Sequence, residues 1–245
     1  MLHLDLTLDS PGENLALDEA LWEAGEATGT EALRFWESPV HFVVLGYANR
    51  IAREVNVPAC EARGLPVQRR ITGGGTVLQG PGCLNYTLVL RIADAGPTAS
   101  ITATNLHVMN RHAAALTRSL ERPVRRRGDT DLAIGDRKFS GNAQRRGRRT
   151  LLFHGTFLLD LDLDLLRAVL PAPSRQPDYR ENREHQAFVM NLGVDPRRVK
   201  DALREAWMTA MPSGANSGHV LSRTVERARE LAALKYNTAD WSRRF

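Results

Sequence analysis

Apolar side chains recur at spacings of four and three early in the chain, where Leu17, Leu21 and Ala24 share one face of a helix predicted over 14–27. Phe35 and the apolar run 40–45 read as two short buried strands around a turn at Ser38 and Pro39. Residues 55–63 predict a helix stopped by Gly64, and 67–71 a strand that runs into Thr72, Gly73, Gly74 and Gly75. Strand formers dominate 84–92, and 102–120 predicts a long helix with Leu106, Met109, Ala113 and Leu116 on its buried face. A strand meander follows at 131–134, 138–144 and 151–159, turning at Gly135 with Asp136 and at Arg146 with Gly147. Helices are expected at 163–169, at 196–208 with Pro196 in the first turn, and at 222–234 after a loop over 212–219. The polar stretch 171–184 has little to bury and reads as a mobile loop. Hairpins with helices between groups of strands predict an α+β domain, not a strict alternation of strand and crossover helix.

At 245 residues with 42% hydrophobic and 25% charged side chains, the chain fits one large globular domain and excludes a disordered or collagenous class. No run approaches the ~18 consecutive apolar residues of a membrane helix. The amino terminus carries Asp5, Asp9 and Glu13 in place of the basic start of a signal peptide. Cys60 and Cys83 are too few for a disulfide framework or a four-cysteine zinc site, which points to a reducing, cytoplasmic setting. Net charge is +5, from 33 basic and 28 acidic residues, yet lysine occurs only at positions 138, 200 and 235. In so arginine-rich a chain a lysine is informative, because a compact ammonium does what the planar guanidinium fork cannot.

Three segments carry chemistry. Arg69, Arg70, Ile71, Thr72, Gly73, Gly74, Gly75, Thr76 and Val77 join an apolar strand to a loop whose backbone can approach a ligand and offer N–H groups to an anion. A bare triple glycine is as often a flexible hairpin tip, and the spacing matches neither a P-loop nor a Rossmann fingerprint. In the second segment Lys138 is followed by Ser140, Gly141 and Ala143, small neighbours that leave room above a strand. A lysine there neutralises developing negative charge, or merely guards a sheet edge. The third places His154 and Gly155 at the start of a strand, lining a cleft or packed structurally.

In this order the segments resemble the lipoate–protein ligase family, within the wider biotin/lipoate ligase and octanoyltransferase group. Arg70 and the Thr72–Val77 run resemble its acyl- and nucleotide-binding loop, continued by Gly82, Leu84 and Asn85. Residues 135–144 are similar to the stretch holding that family's essential lysine, which maps onto Lys138. His154, Gly155 and Thr156 match the strand that follows, Asn191 and Leu192 a later motif, and Lys235, Tyr236, Asn237 and Trp241 the close of the catalytic domain.

The resemblance implies a mixed, largely antiparallel sheet flanked by helices, as in class II synthetases, with residues 1–245 forming one catalytic domain. It implies ATP and Mg²⁺ as cofactors and lipoate or octanoate as the acid activated to an acyl-adenylate. The acyl group then goes to a lysine of a lipoyl-domain acceptor protein. Lys138 would be catalytic. Arg70, Thr72, Gly73, Gly74, Gly75, Thr76, Val77, Asn85, Asp131, Ser140, Gly141, Ala143, His154 and Gly155 would contact substrate or nucleotide, with Asp131 also near magnesium. Val77 and Leu78 either line the acyl tunnel or are plain core.

Some positions depart from the family pattern. Gln79 stands where such ligases often carry histidine, Cys83 fills a small or polar slot, and Thr130 replaces an asparagine. The C-terminal accessory domain of bipartite ligases is not expected here, so a separate polypeptide becomes a candidate partner. An octanoyl- or lipoyltransferase on this scaffold is the rival reading, but it requires a cysteine nucleophile. Neither Cys60 nor Cys83 falls where those enzymes carry theirs. A biotin ligase is weaker still. The basic runs 122–127 and 145–149 suit a nucleic-acid module poorly, since no aromatic motif interleaves with them, and the second run is a candidate dock for an acidic acceptor.

Overall fold

The computed structural model describes residues 1–208 and 217–245. Its strands are β1 (Leu2–Asp5), β2 (Ala32–Trp36), β3 (Phe42–Leu45), β4 (Val67–Arg69), β5 (Val77–Gln79), β6 (Cys83–Arg91), β7 (Val124–Arg127), β8 (Asp131–Ile134), β9 (Arg137–Arg146) and β10 (Thr150–Leu158). Seven of them form a sheet in the order β1-β2-β6-β10-β9-β8-β7, antiparallel throughout except where β1 meets β2. The other three form a small sheet, β4-β3-β5. The helices are α1 (Pro11–Thr28), α2 (Ile51–Glu54), α3 (Val57–Glu61), α4 (Ile101–Leu120), α5 (Leu163–Val169), α6 (His185–Phe188), α7 (Pro196–Trp207), α8 (Ser217–Leu231) and α9 (Ala239–Ser242). The architecture is α+β, as the hairpin pattern implied.

Side chains alternate across the large sheet, so each face has its own composition. Leu33, Phe35, Leu84, Tyr86, Leu88, Phe153 and Phe157 point to one face and pack against Val108, Met109 and Leu116 of α4 and Val199 and Leu203 of α7. The opposite face is apolar only at one end, where Ala32, Val89 and Leu152 meet Leu17 and Leu21 of α1 and Leu231 of α8. Further along it the same alternation delivers Arg34, Thr87 and His154, then Trp36, Asn85 and Thr156. A buried sheet face that turns polar part-way across is where this fold makes room for chemistry.

Local signals explain the element ends. Ser10 and Glu13 close a capping box on α1, and Gly29 ends that helix at φ 75°, a left-handed conformation that glycine adopts without strain. The helix expected over 55–63 is shorter, Val57–Glu61, because Val55 is extended and Asn56 caps the start by accepting from Ala59 N–H, and a separate short helix, Ile51–Glu54, precedes it. Leu106 is exposed, not inward: the buried stripe of α4 runs through Thr104, Val108, His112, Ala115 and Leu116, and the polar members hid it from an apolar count. The 171–184 stretch is also not a free loop. It carries a 3-10 turn at Asp178–Arg180, buries Arg180, and lies along the site described below. Most of the loop expected over 212–219 falls outside the described residues, and α8 begins at Ser217. Among the described residues no helix is long and apolar enough to cross a membrane.

Candidate active site

A buried hydrogen-bonded line crosses from α1 into the glycine loop. Arg34, fully buried on β2, gives its guanidinium protons to Asp18 Oδ1 at 2.7 Å, to the Asn14 side chain at 2.6 Å, and to the Leu6 and Asn14 carbonyls. Burial pulls its pKa down to about 10 against the opposing pull of Asp18. Thr87 donates to Asp18 Oδ1 at 2.6 Å. The second carboxylate oxygen lies 2.9 Å from His154 Nδ1, and His154 Nε2 lies 2.7 Å from Thr72 Oγ1. Thr72 also accepts Arg70 Nε–H at 3.0 Å, so its own proton is available to the ring.

Arg70 then fixes the loop. It donates at 2.6 Å to Gly73 O and at 2.8 Å to Gly75 O, and burial lowers its pKa to about 10. With the carbonyls held this way, no amide from Gly73 to Thr76 is tied up in a backbone hydrogen bond among the described residues. Gly74 sits at φ +86°, and a methyl on Gly46 would come within 2.2 Å of Gly74 O, so both glycines are required for the close approach.

Lys138 lies on β9, whose pairing with β8 slips by one residue at Phe139: Leu132 pairs with Ser140 but Ala133 with Lys138. That bulge sends Phe139 into the core beside Phe157 and re-aims Lys138 toward the cavity. Its Nζ pairs with Asp131 Oδ1 at 2.7 Å and passes over Gly141, where a Cβ would meet it at 2.8 Å. The carbonyl of Lys138 accepts from Met190 N–H, which pins the strand edge. Tyr179, from the 171–184 segment, donates to Asp131 Oδ2 at 2.7 Å while Arg127 lies over its ring.

These groups surround a cavity of about 440 Å³. Of the expected residues, Arg70, Gly74, Gly75, Thr76, Val77, Asn85, Asp131, Lys138, Ser140, Gly141, Ala143, His154 and Gly155 line it. Thr72 and Gly73 do not: Thr72 is buried behind the loop and serves His154. Leu78, left open between tunnel and core, is both, being buried and on the cavity wall. Sequence reasoning missed Asp18, Trp36 and Tyr179. Asp18 carries a detectable signal, a carboxylate directly after Leu17 on the buried side of α1. Tyr179 carries none, since it comes from a stretch read as solvent-bound.

Both oxygens of Asp131 are engaged, Oδ1 by Lys138 and Oδ2 by Tyr179. Among the described residues no group of three His, Cys, Asp or Glu could hold a metal. Neither thiol reaches the cavity. Cys83 is fully buried and its pKa is pushed up to about 12 by desolvation, and Cys60, on the inner side of α3, is buried with its pKa also raised. The 145–149 arginines are largely committed elsewhere: Arg145 donates to Ile71 O, Arg146 to Thr98 O, and Arg149 to Ala27 O.

The family model described as lipoyl protein ligase A/B catalytic domain matches residues 10–206, which include every element of this site. The chain belongs to that family. Octanoyltransferase LipM of Moorella thermoacetica is 31% identical, covering 98% of this chain and 97% of its own. Among solved structures, a bi-partite lipoate protein ligase studied with its E2 lipoyl domain from Thermoplasma acidophilum superposes with a TM-score of 0.80 at 26% identity, covering 99% of this chain and 95% of that one. A lipoate-protein ligase A bound with ATP gives 0.75 at 25% identity, covering 99% and 98%. The protein is therefore an enzyme of the lipoate ligase and octanoyltransferase family, and its relatives carry both activities in their names.

Proposed function

We propose that the protein is an ATP-dependent lipoate–protein ligase, and the observation that carries this reading is a cavity with an ammonium and open amides but no thiol. A transferase that forms an acyl-enzyme needs a thiolate at the reacting carbon. Both cysteines of the chain lie in the core, and burial holds them in the neutral form.

A ligase needs other equipment. A carboxylate is a poor electrophile, so its oxygen attacks the α-phosphorus of ATP, pyrophosphate leaves, and the acyl carbon acquires AMP as a leaving group. The two reactants are both anions and must be brought together. Lys138 would leave Asp131 and set its ammonium between the acid's carboxylate and the α-phosphate, offsetting their repulsion and the charge that grows in the transition state. The unpaired amides of Gly74, Gly75 and Thr76, on the cavity wall, would donate to phosphate or carboxylate oxygens. Arg70 keeps the loop in this shape. In the second step the acceptor's ε-amine attacks the acyl carbon, loses a proton, and AMP departs with the bonding pair. Magnesium would enter with the nucleotide, held chiefly by its phosphates.

The acceptor we infer is a lipoyl-domain protein, the kind of partner named for the Thermoplasma neighbour, and the setting is the cytoplasm. The test is the intact mass of a purified lipoyl domain after incubation with the protein, ATP–Mg²⁺ and lipoate or octanoate. A single acyl addition that requires ATP is expected. Where the chain alone is inactive, the assay is repeated with a separate accessory polypeptide. Acylation from octanoyl-carrier protein without ATP, with none from the free acids plus ATP, overturns the proposal in favour of the transferase.

A further inference from the structure

A lysine acceptor reaches the acyl carbon as an ammonium, so some group must take its proton before the nitrogen can attack. Five carboxylates and imidazoles line the cavity: Asp18, Asp129, Asp131, His154 and His185. Three of them are engaged. Asp18 serves Arg34, Thr87 and His154, and the two ring nitrogens of His154 meet Asp18 and Thr72. Asp131 holds Lys138 and Tyr179. A carboxylate is also a weaker base than an imidazole, by roughly two to three pH units.

His185 is different. It opens α6, and its carbonyl accepts from Val189 N–H at 2.8 Å one turn later. Val189 in turn forms a parallel bridge with Lys138, and Met190 N–H donates to Lys138 O at 2.8 Å. The histidine is therefore fastened one helical turn from the backbone of the lysine. Its Nε2 lies 3.2 Å from Pro171 O. A carbonyl can only accept, so Nε2 carries the hydrogen and Nδ1 of the neutral ring keeps its lone pair. Among the described residues no donor occupies Nδ1.

Burial lowers the pKa of this ring, as do the charges of Arg180 and Lys138, against the opposing pull of the Pro171 carbonyl. The ring is thus neutral at neutral pH and able to accept. Other charges on the elements around α6 are Arg137 on β9 and Asp164 and Arg167 on α5. Arg137 is taken by Val189 O, and Asp164 by Gln186.

Resting on the ligase reading, we propose that His185 is the general base of the transfer step. Nδ1 takes a proton from the ε-ammonium of the acceptor lysine, and the freed electron pair forms the C–N bond at the acyl carbon. The C–O bond to AMP breaks, and its pair goes to the phosphate oxygen. That oxygen takes the second proton from nitrogen, and the imidazolium returns the first to solvent. Lys138 stays charged throughout and steadies the oxyanion and the leaving phosphate, so the base and the electrostatic support are separate residues.

The experiment gives the protein synthetic lipoyl-adenylate and a purified lipoyl domain, and follows acylation by intact mass in a single turnover. His185→Gln should transfer ~10²-fold more slowly near pH 7. Two further readings separate a base from a structural support. Toward pH 9 the acceptor lysine sheds its proton to water, so the deficit should shrink by about tenfold or more. Hydroxylamine, an amine already neutral near pH 7, should take the acyl group from the variant with a far smaller deficit. Asp129→Asn, which removes the exposed carboxylate on the same cavity, should lose much less than His185→Gln. A deficit under about threefold, one equal at both pH values and with hydroxylamine, or a larger loss in Asp129→Asn overturns the proposal. If ATP supports no acylation, the ligase reading fails by itself, and the same comparison with octanoyl-carrier protein as donor then decides this inference.

Discussion

Asp18 Oδ2 stands 2.9 Å from His154 Nδ1, so a carboxylate on the first helix orients an imidazole 136 residues away in sequence. The other face of that ring meets Thr72, which meets Arg70, which holds the glycine loop by two carbonyls. Removing Asp18 strikes both ends of this line. Asp18→Ala leaves the fully buried Arg34 without a counter-charge, and a loss of ~3–5 kcal/mol in unfolding free energy is expected. Asp18→Asn, which keeps the shape, should lose less. Urea midpoints with an unchanged m-value check the order; a loss below ~1 kcal/mol in Asp18→Ala would show that Asn14 and the backbone carbonyls alone hold Arg34.

Lys138 is expected to be indispensable. Lys138→Ala should lower acyl-adenylate formation by ~10³-fold or more, and Lys138→Arg should fail as well, because the fork is bulkier and differently shaped. Gly141→Ala probes the same ammonium from below, since its methyl would lie 2.8 Å from Nζ and displace it. That variant should keep its melting temperature and lose activity. Lipoate-dependent exchange of labelled pyrophosphate into ATP measures all three, and near-normal exchange in Lys138→Ala removes the lysine from the chemistry.

Arg69 ties the strand before the loop to the last helix. Its fully buried guanidinium donates to the carbonyls of Gly46, Tyr47, Asn49, Trp241 and Ser242. Arg69→Lys supplies one ammonium for that set and leaves some buried carbonyls unpaired, at ~1–3 kcal/mol for each. A fall in Tm of roughly 5 °C or more is expected by calorimetry, with faster amide exchange in α9. An unchanged Tm would mean that water fills the gap.

Acid should weaken the fold through His112. Burial between α4 and α7 lowers its pKa to about 3, so the ring is neutral when folded and accepts Trp207 Nε1–H at 2.8 Å. The unfolded chain takes up that proton below about 6.5. Stability contributed by the neutral ring is therefore complete above pH 6.5 and is lost as pH falls toward 3, by up to ~1.4 kcal/mol per unit. His112→Gln should flatten the decline between pH 6.5 and 5, before most carboxylates titrate. Parallel slopes for the two proteins in that window would contradict this.

Periodicity made α1, α4, α7 and the β8–β10 meander legible, because enough apolar positions recur along each to mark it, even with Asn14, Asp18, Thr104 and His112 among the buried residues. It could not show that β2 and β3, adjacent in sequence, belong to different sheets, since both are wholly buried and a turn of the same residues serves either course. The glycine loop and Lys138 stood out through residue types with narrow uses. Their partners did not. Asp18, Trp36 and Tyr179 are ordinary helix, strand and loop residues, and their relation to Lys138 or His154 exists only once strands from both halves of the chain lie side by side. The bulge at Phe139 is equally silent in sequence, although it decides which way the lysine points.

Cys60 and Cys83 sit under packed side chains, away from the place where acyl groups change hands. Peroxide and electrophilic reagents that stop enzymes working through an exposed sulfhydryl would meet no thiol on this cavity wall. On the proposed ligase reading, the purified protein should keep its activity after treatment with a thiol-blocking reagent.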